Sequence, residues 1–219
     1  MSKIVMSLSG GMDSTTLLAL LLSQGNEVHG VSFSYGSKHN PYENEAARAV
    51  AKHYNIPLTE IDLSSVMSSF KSNLLKSGGE IPDGHYTDKS MSKTVVPGRN
   101  IIFLSILSGL AWSINADLIA IGIHSGDHAI YPDCRPVFYD AMNEAISWGT
   151  DGAVHVIAPI LCWDKTIILA WGLSNDVPYH LTRTCYKDQP LSCGKCGSCV
   201  ERLEAFSNHG VSDPISYEV

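Results

Sequence analysis

Short β-branched or apolar segments alternate along this chain with longer segments of helical periodicity. The short segments have the composition of buried strands and cover residues 3–8, 27–34, 58–63, 118–123 and 154–158. Helical periodicity predicts helices over residues 14–23, 41–54, 65–76, 100–115, 136–148 and 164–173. Repeated βα order is typical of a parallel sheet covered by helices on both faces. The sequence therefore predicts an α/β fold with a doubly wound, five-stranded parallel sheet.

Composition narrows the class of protein. The 219 residues suffice for one large domain with a small appendage. With 44% hydrophobic and 17% charged residues, the chain is an ordinary globular sequence, which excludes disorder as its main state. No internal repeat is present, so a solenoid is also excluded. The net charge of −7 disfavours a broad nucleic-acid-binding face, and we expect a small-molecule substrate.

The sequence carries no membrane signal. Its first residues lack a charged segment followed by a long apolar one, and its longest purely apolar run, residues 17–22, is too short to cross a bilayer. We therefore expect a cytoplasmic protein with no membrane partner.

Four of the six cysteines lie within residues 185–199, after the βα pattern has ended. These four are Cys185, Cys193, Cys196 and Cys199, and the last three lie in the knuckle sequences CGKC and CGSC. Four thiolates match tetrahedral zinc and leave no position free, so the metal is expected to be structural. An iron–sulfur cluster is the alternative, whereas disulfides are less favoured in a reducing compartment. We accordingly predict a domain over residues 1–178 and a metal-binding tail over 179–219 that ends in a helix over 200–207.

The stretch SLSGGMDSTTLLALLL, starting at residue 7, joins the first strand to the first helix. Gly10 and Gly11 permit a tight turn and a close approach to a ligand. The hydroxyls and the N–H groups of the helix start meet at this turn, where an anion is favoured. The pattern is neither a Walker motif nor GxGxxG. A plain turn capped by Ser or Asp is the alternative interpretation.

Polar residues follow other predicted strands or open helices. Tyr35 and His39 follow the second strand, where doubly wound folds place ligands. Arg99, at the start of a helix, could neutralise phosphate or carboxylate, and Lys165 opens the last helix of the sheet domain. A loop histidine, a surface arginine and a solvated lysine are the simpler interpretations.

The loop GIHSGDHAIYPDCRP over residues 122–136 resembles a polar substrate pocket in its composition. His124, Asp127 and His128 form no recognised metal-ligand pattern. A second long loop, residues 77–97, has no sustained apolar period and is interpreted either as a lid over an active site or as a simple insertion.

SGGMDS at residues 9–14 resembles the pyrophosphate-binding loop, SGGxDS, of the ATP pyrophosphatase superfamily. Together with YGSKHNPYE, VPGRN, GDHAIYPDCRP and CGKCGSCVERLEAF, it resembles the 7-cyano-7-deazaguanine synthase (QueC) family of that superfamily over nearly the whole chain. Two features depart from the usual bacterial pattern. Ser37 replaces a common glutamine, and HSGDHAIYPDC is similar to the archaeal type.

The resemblance implies an adenine nucleotide α-hydrolase-like sheet and an ATP-dependent ligase of 7-deazapurine (queuosine or archaeosine) biosynthesis. Such an enzyme converts 7-carboxy-7-deazaguanine and ammonia to the nitrile through an acyl-adenylate and an amide, with Mg accompanying ATP. The implied nucleotide loop comprises Leu8, Ser9, Gly10, Gly11, Met12, Asp13, Ser14, Thr15, Thr16, Leu17 and Leu18. The expected catalytic residues are Ser14, Asp13, Lys165 and Arg99. The expected substrate contacts are Tyr35, His39, His124, Asp127, Asp133 and Arg135.

The same resemblance implies zinc on the four tail cysteines, a homodimer, and no direct nucleic-acid partner. One alternative remains from the sequence. Paralogues in antiviral defence operons are thought to attach a deazaguanine to a protein amine through the same adenylate, and the motifs do not separate the two acceptors.

Overall fold

The computed structural model describes residues 1–85 and 89–218. Its strands are β1 (Lys3–Ser7), β2 (Glu27–Ser34), β3 (Leu58–Asp62), β4 (Leu118–Ala120) and β5 (His155–Ile157). Its α-helices are α1 (Met12–Ser23), α2 (Asn40–His53), α3 (Ser64–Met67), α4 (Arg99–Ser113), α5 (Pro136–Gly149), α6 (Lys165–Ser174) and α7 (Gly197–Asn208). Short 3-10 helices cover Lys89–Thr94, Ser125–Asp127, Pro132–Cys134 and Tyr179–Leu181.

All strand pairs are parallel, and the strand order is β3-β2-β1-β4-β5. Ile4 and Met6 of β1 join one hydrophobic cluster and Val5 joins another, because side chains alternate between the faces of a sheet. Helices α1, α2 and α6 cover one face and α4 and α5 cover the other, through Leu17, Val50, Ile168, Leu104 and Ile146. The predicted doubly wound, five-stranded α/β fold is therefore confirmed.

The strand order reverses between β1 and β4. The connection from β1 leads to β2 on one side of the sheet, whereas the chain returns after β3 to place β4 on the other side. The loops that follow β1 and β4 therefore diverge and leave a crevice at the carboxyl ends of the strands. This crevice holds the candidate site.

The predicted helix over residues 65–76 is wrong beyond its first turn. Only α3 is helical, and the chain then pairs with the loop after β2: Lys38 N donates to Leu74 O, and Lys76 N donates to Gly36 O, both at 2.9 Å. Lys38 Nζ also donates to Asn73 O at 2.8 Å. Leu74 and Leu75 are buried in this non-helical packing, because a tertiary contact outweighs a weak helix propensity.

The long loop over residues 77–97 contacts the cysteine-rich tail. Lys187 Nζ lies 2.6 Å from Asp83 Oδ1, and Gly84 N donates to Lys195 O at 3.0 Å. Part of the loop is helical, at Lys89–Thr94. Residues 86–88 of the predicted lid, and residue 219 of the predicted tail, lie outside the described residues. The lid role stays a prediction.

The tail packs on the sheet domain through α7. Phe206 of α7 is buried with Met12 of α1 and Leu169 of α6 in one hydrophobic cluster. Arg202 is fully buried, and its guanidinium donates to both carboxylate oxygens of Asp213, at 2.7 and 2.9 Å. Among the described helices, none combines the length and the apolar composition that crossing a bilayer requires.

Replacing Asp213 with Ala is expected to lower the free energy of unfolding by about 3–5 kcal/mol, because it leaves the buried Arg202 charge without its carboxylate. Urea unfolding measures this change. Asp140→Ala, at an exposed position of α5, is the control and should change stability by less than about 0.5 kcal/mol. Equal stability of the two variants would contradict a buried ion pair.

Candidate active site

A cavity of about 190 Å³ opens at the carboxyl ends of β1, β2 and β4. Parallel strands bring their following loops to this edge, so residues distant in sequence meet there. Its wall includes residues from the segments that follow β1, β2 and β4, from α1, α2, α4 and α6, and from the cysteine-rich tail: Ser9, Gly11, Asp13, Ser14, Tyr35, His39, Glu43, Arg99, His124, Asp127, Lys165, Tyr186 and Glu201.

The turn between β1 and α1 leaves the start of the helix without a side-chain cap. Ser9 Oγ accepts a hydrogen bond from Gly11 N at 3.2 Å and lies 3.0 Å from Ser14 Oγ, so the hydroxyls bond within the turn. Gly10 has a φ of +76°, and a Cβ there would lie 2.4 Å from Ala47 N. The turn therefore requires glycine. The first residues of α1 line the cavity, and the free N–H groups of a helix start give a local positive potential there.

The predicted loop residues divide into two groups. Leu8, Ser9, Gly11, Met12, Asp13 and Ser14 line the cavity. The other five predicted loop residues are not among the described lining residues of the cavity: Gly10, Thr15, Thr16, Leu17 and Leu18. Thr16 Oγ1 lies 2.8 Å from Tyr179 Oη.

Lys165 places an ammonium group among carboxylates. Its Nζ lies 2.7 and 2.6 Å from the two oxygens of Asp13 and 3.2 Å from Glu201 Oε2. Burial opposes the charge on Lys165, but Asp13 and Glu201 outweigh it and hold its pKa above the usual value. Burial likewise opposes the charge on Asp13, yet Lys165 and His124 lower the pKa of that carboxyl. The pair therefore stays charged.

His124 joins this cluster from the loop after β4. Its Nδ1 accepts a hydrogen bond from Gly126 N at 3.2 Å, and its Nε2 lies 3.3 Å from Lys165 Nζ. That Nε2 is 3.6 Å from Asp127 Oδ2 and 3.7 Å from Asp13 Oδ2. The ring is thus oriented between two carboxylates.

Glu201 is a site residue that the sequence analysis missed. It lies on α7, two positions after Cys199, and burial raises the pKa of its carboxyl while Lys165 opposes that rise. The CVERLEAF motif contained it, but a glutamate on an amphipathic helix gives no sign of which face meets the cavity.

Tyr35, His39 and Arg99 lie together in another part of the cavity, with Glu43. His39 Nε2 is 3.2 Å from Glu43 Oε2 and 3.4 Å from Tyr35 Oη. The Arg99 guanidinium carbon is 6.0 Å from the Tyr35 ring centroid. Burial, with a contribution from Glu43, raises the pKa of Tyr35 to about 12, so the phenol stays protonated.

Asp133 and Arg135 are not among the described lining residues of the cavity. Asp133 Oδ2 accepts a hydrogen bond from Asn100 N at 3.0 Å, which places the carboxylate at the start of α4. Arg135 is exposed, and its Nε donates to His128 O at 2.9 Å. Their substrate contacts stay a prediction.

The four tail cysteines meet in one buried cluster. Their sulfur atoms all lie within 4.8 Å of one another. Cys185 Sγ accepts from Lys187 N and Cys193 N, both at 3.4 Å. A hydrogen bond from the Cys196 thiol, helped by backbone N–H groups, lowers the pKa of Cys193 to about 6. All six cysteines are described and none forms a disulfide, so the cluster has the donor set of a closed metal site.

Solved structures with this architecture have little sequence in common with the chain. A predicted subunit of tRNA methyltransferase from Methanocaldococcus jannaschii has a TM-score of 0.53 and 13% identity, covering 97% of this chain and 91% of that one. A 4-thiouridine synthetase in complex with RNA and bound ATP has a TM-score of 0.50 and 21% identity, covering 93% and 50%. These similarities show a shared fold.

Sequence comparison is more specific. A 7-cyano-7-deazaguanine synthase of Hahella chejuensis is 45% identical over 217 residues, which cover 99% of this chain and 94% of that relative. The model of the family described as queuosine biosynthesis protein QueC matches residues 3–210, a range that contains both the uncapped loop and the cysteine cluster. By both measures, this chain belongs to the QueC family.

Proposed function

We propose that this chain converts 7-carboxy-7-deazaguanine, ammonia and ATP to 7-cyano-7-deazaguanine. The observation that carries the proposal is the uncapped turn at residues 9–14, which faces the same cavity as Lys165 and Arg99. Family membership supports the product, since the Hahella chejuensis relative bears the name of that synthase. The bound ATP in the 4-thiouridine synthetase of similar fold supports the co-substrate.

The first step is adenylation of the carboxylate. A carboxylate oxygen attacks the α-phosphorus of ATP, the bond to the β-phosphate oxygen breaks, and pyrophosphate leaves. The N–H groups at the start of α1 and the Ser14 hydroxyl bind the departing pyrophosphate. Lys165 and Arg99 stabilise the charge that spreads over the phosphates.

The next steps replace oxygen by nitrogen. Ammonia attacks the acyl-adenylate, AMP leaves, and a primary amide forms. The amide oxygen then attacks a second ATP and releases a second pyrophosphate. Loss of AMP and two protons from nitrogen gives the nitrile. Both adenylates are sensitive to water, so a buried cavity protects them.

The charges around Lys165 support magnesium as the ion that accompanies ATP. Asp13, Asp127 and Glu201 outnumber the single ammonium there, so the cluster repels a bare triphosphate. Mg²⁺ prefers carboxylate and phosphate oxygens and would be held by Asp13, where it supplies charge neutralisation.

The cysteine cluster supports a structural zinc ion. Cys185, Cys193, Cys196 and Cys199 would hold it, and four sulfur ligands leave no position for substrate. The metal supplies rigidity to the tail, from which α7 carries Glu201 to the cavity.

The experiment that tests the activity is mass spectrometry after incubation with 7-carboxy-7-deazaguanine, ammonium and Mg-ATP. We expect free nitrile with two AMP and two pyrophosphate per product molecule. Formation of ADP would contradict cleavage between the α and β phosphates. A deazaguanine attached to a protein amine would instead identify the macromolecular acceptor and overturn the proposed product.

Ser14→Ala is expected to lower kcat by about 100-fold or more, because it removes a donor to the departing pyrophosphate. Pyrophosphate release measures the rate, and thermal unfolding checks the fold. Ser23→Ala, at an exposed site near the end of the same helix, should leave both unchanged. Normal turnover by Ser14→Ala would remove this hydroxyl from the mechanism.

Cys196→Ser is expected to abolish metal binding and to lower the thermal midpoint, because one of four ligands is lost. Elemental analysis should find one zinc per wild-type chain. The control is Cys162→Ser, since Cys162 is exposed and lies outside the cluster. Iron in place of zinc, or full zinc content in Cys196→Ser, would contradict the assignment.

A further inference from the structure

One carboxylate in the cavity has no part in the mechanism above. Glu43 lies in the first turn of α2, and its side chain is 18% exposed. Its Oε2 is 3.2 Å from His39 Nε2, while Oε1 accepts no hydrogen bond from the described residues. The carboxylate therefore keeps acceptor capacity on the cavity side, where both residues contribute to the wall.

His39 has a second unused group. The residue is 2% exposed, yet its Nδ1 has no hydrogen-bond partner within the described part of the chain. Buried polar atoms without partners are uncommon in folded proteins, because their desolvation is not compensated. Nε2 faces Glu43 and Tyr35, so Nδ1 is the ring atom left for a ligand.

The walls beside this pair suit a flat ring. Tyr35 meets Phe103 edge to face with ring centroids 5.6 Å apart, and the Tyr186 ring lies 5.3 Å from that of His39. All four residues line the cavity. Aromatic walls with a few polar groups at one edge are the usual form of a heterocycle site.

The polar edge selects the kind of heterocycle. A 2-amino-pyrimidin-4-one ring presents two adjacent donors, the ring N–H between the carbonyl carbon and the amino-bearing carbon and the 2-amino group itself, which match the two oxygens of a carboxylate. Adenine presents its amino group beside N1, which is an acceptor, so a carboxylate meets a lone pair there. A carboxylate therefore favours the guanine-type ring over adenine.

We propose that Glu43 and His39 form the specificity site for the 2-amino-pyrimidinone edge of the substrate. Glu43 accepts the two ring donors, and His39 holds the carboxylate in place and offers Nδ1 to a further polar atom of the ligand. This inference rests on the proposed function, because it assumes a deazaguanine substrate.

The test is Glu43→Gln, which keeps the shape of the side chain and its contact with His39 but turns a donor toward the ring. We expect the KM for 7-carboxy-7-deazaguanine to rise about 10- to 100-fold, since hydrogen bonds to a charged group are lost. The KM for ATP and the thermal midpoint should not change. Glu45→Gln, at an exposed site of the same helix, is the matched control and should leave every parameter as in the wild type.

A substrate analogue sharpens the result. The wild type should bind 7-carboxy-7-deazahypoxanthine, which lacks the 2-amino group, more weakly than the substrate, and Glu43→Gln should reduce this discrimination. A rise in the KM for ATP alone would show that the pair contacts adenine instead. A lower thermal midpoint with an unchanged KM would show a purely structural pair. Either result overturns the proposal.

Equilibrium binding of 7-carboxy-7-deazaguanine to the wild type and Glu43→Gln separates this inference from the proposed activity. Weaker binding to the variant, with no nitrile formed by either protein, would support the specificity site while the activity fails. Nitrile formation with equal binding would overturn the specificity site alone. Absence of binding to the wild type would overturn both.

Discussion

The contact of Lys165 with Asp13 and Glu201 joins three separate parts of the chain at one point. Asp13 begins α1, Lys165 begins α6, and Glu201 lies on α7 of the tail. A buried ammonium is stable only where carboxylates compensate its lost hydration, so the position of each element depends on the others. The position of the turn between β1 and α1 consequently depends on α7, a helix that follows the last strand.

The cysteine-rich tail is therefore a structural part of the candidate active site. Cys199 and Glu201 share α7, and Arg183 N donates to Gly10 O at 2.9 Å, which ties the tail backbone to the uncapped turn. The buried Arg202 of the same helix donates two hydrogen bonds to the Asp213 carboxylate, which fixes α7 to the C-terminal segment. A closed metal site at the start of α7 fits this arrangement, because fixing that end of the helix limits the movement of Glu201.

Sequence pattern predicted the centre of the sheet well because β1 and β4 are largely buried on both faces. Residues such as Val5 and Ile119 leave no polar alternation, so length and flanking turns identify the strands. The prediction of a helix over residues 65–76 was wrong, because the backbone of this segment pairs with Gly36 and Lys38. This is a contact between loops, which no local sequence pattern encodes. The cysteine cluster was predictable because metal ligands are close in sequence as well as in space.

The cavity-lining residues differ in how far the sequence marks them. Asp13 and Lys165 lie in the first turns of helices that follow strands, whereas the position of Glu43 and Glu201 depends on which face of a helix meets the cavity. Asp133 shows the opposite case, since its loop composition suggested a pocket but its carboxylate binds the start of α4. A polar residue after a strand has two competing partners, a ligand and a nearby backbone, and the sequence does not give their distances.

The carboxylates in the cavity differ in the group that compensates their negative charge. Asp13 contacts a full positive charge, so its oxygens pair with Lys165 until a phosphate competes for the ammonium or a metal ion competes for the carboxylate. Among the described residues, the charged or polar partner of Glu43 is an imidazole, and one of its oxygens accepts no hydrogen bond from them. A carboxylate is thus suited to charge compensation in one part of the cavity and to hydrogen-bond recognition of an uncharged ring edge in another. The residue that it contacts determines which of these roles is available.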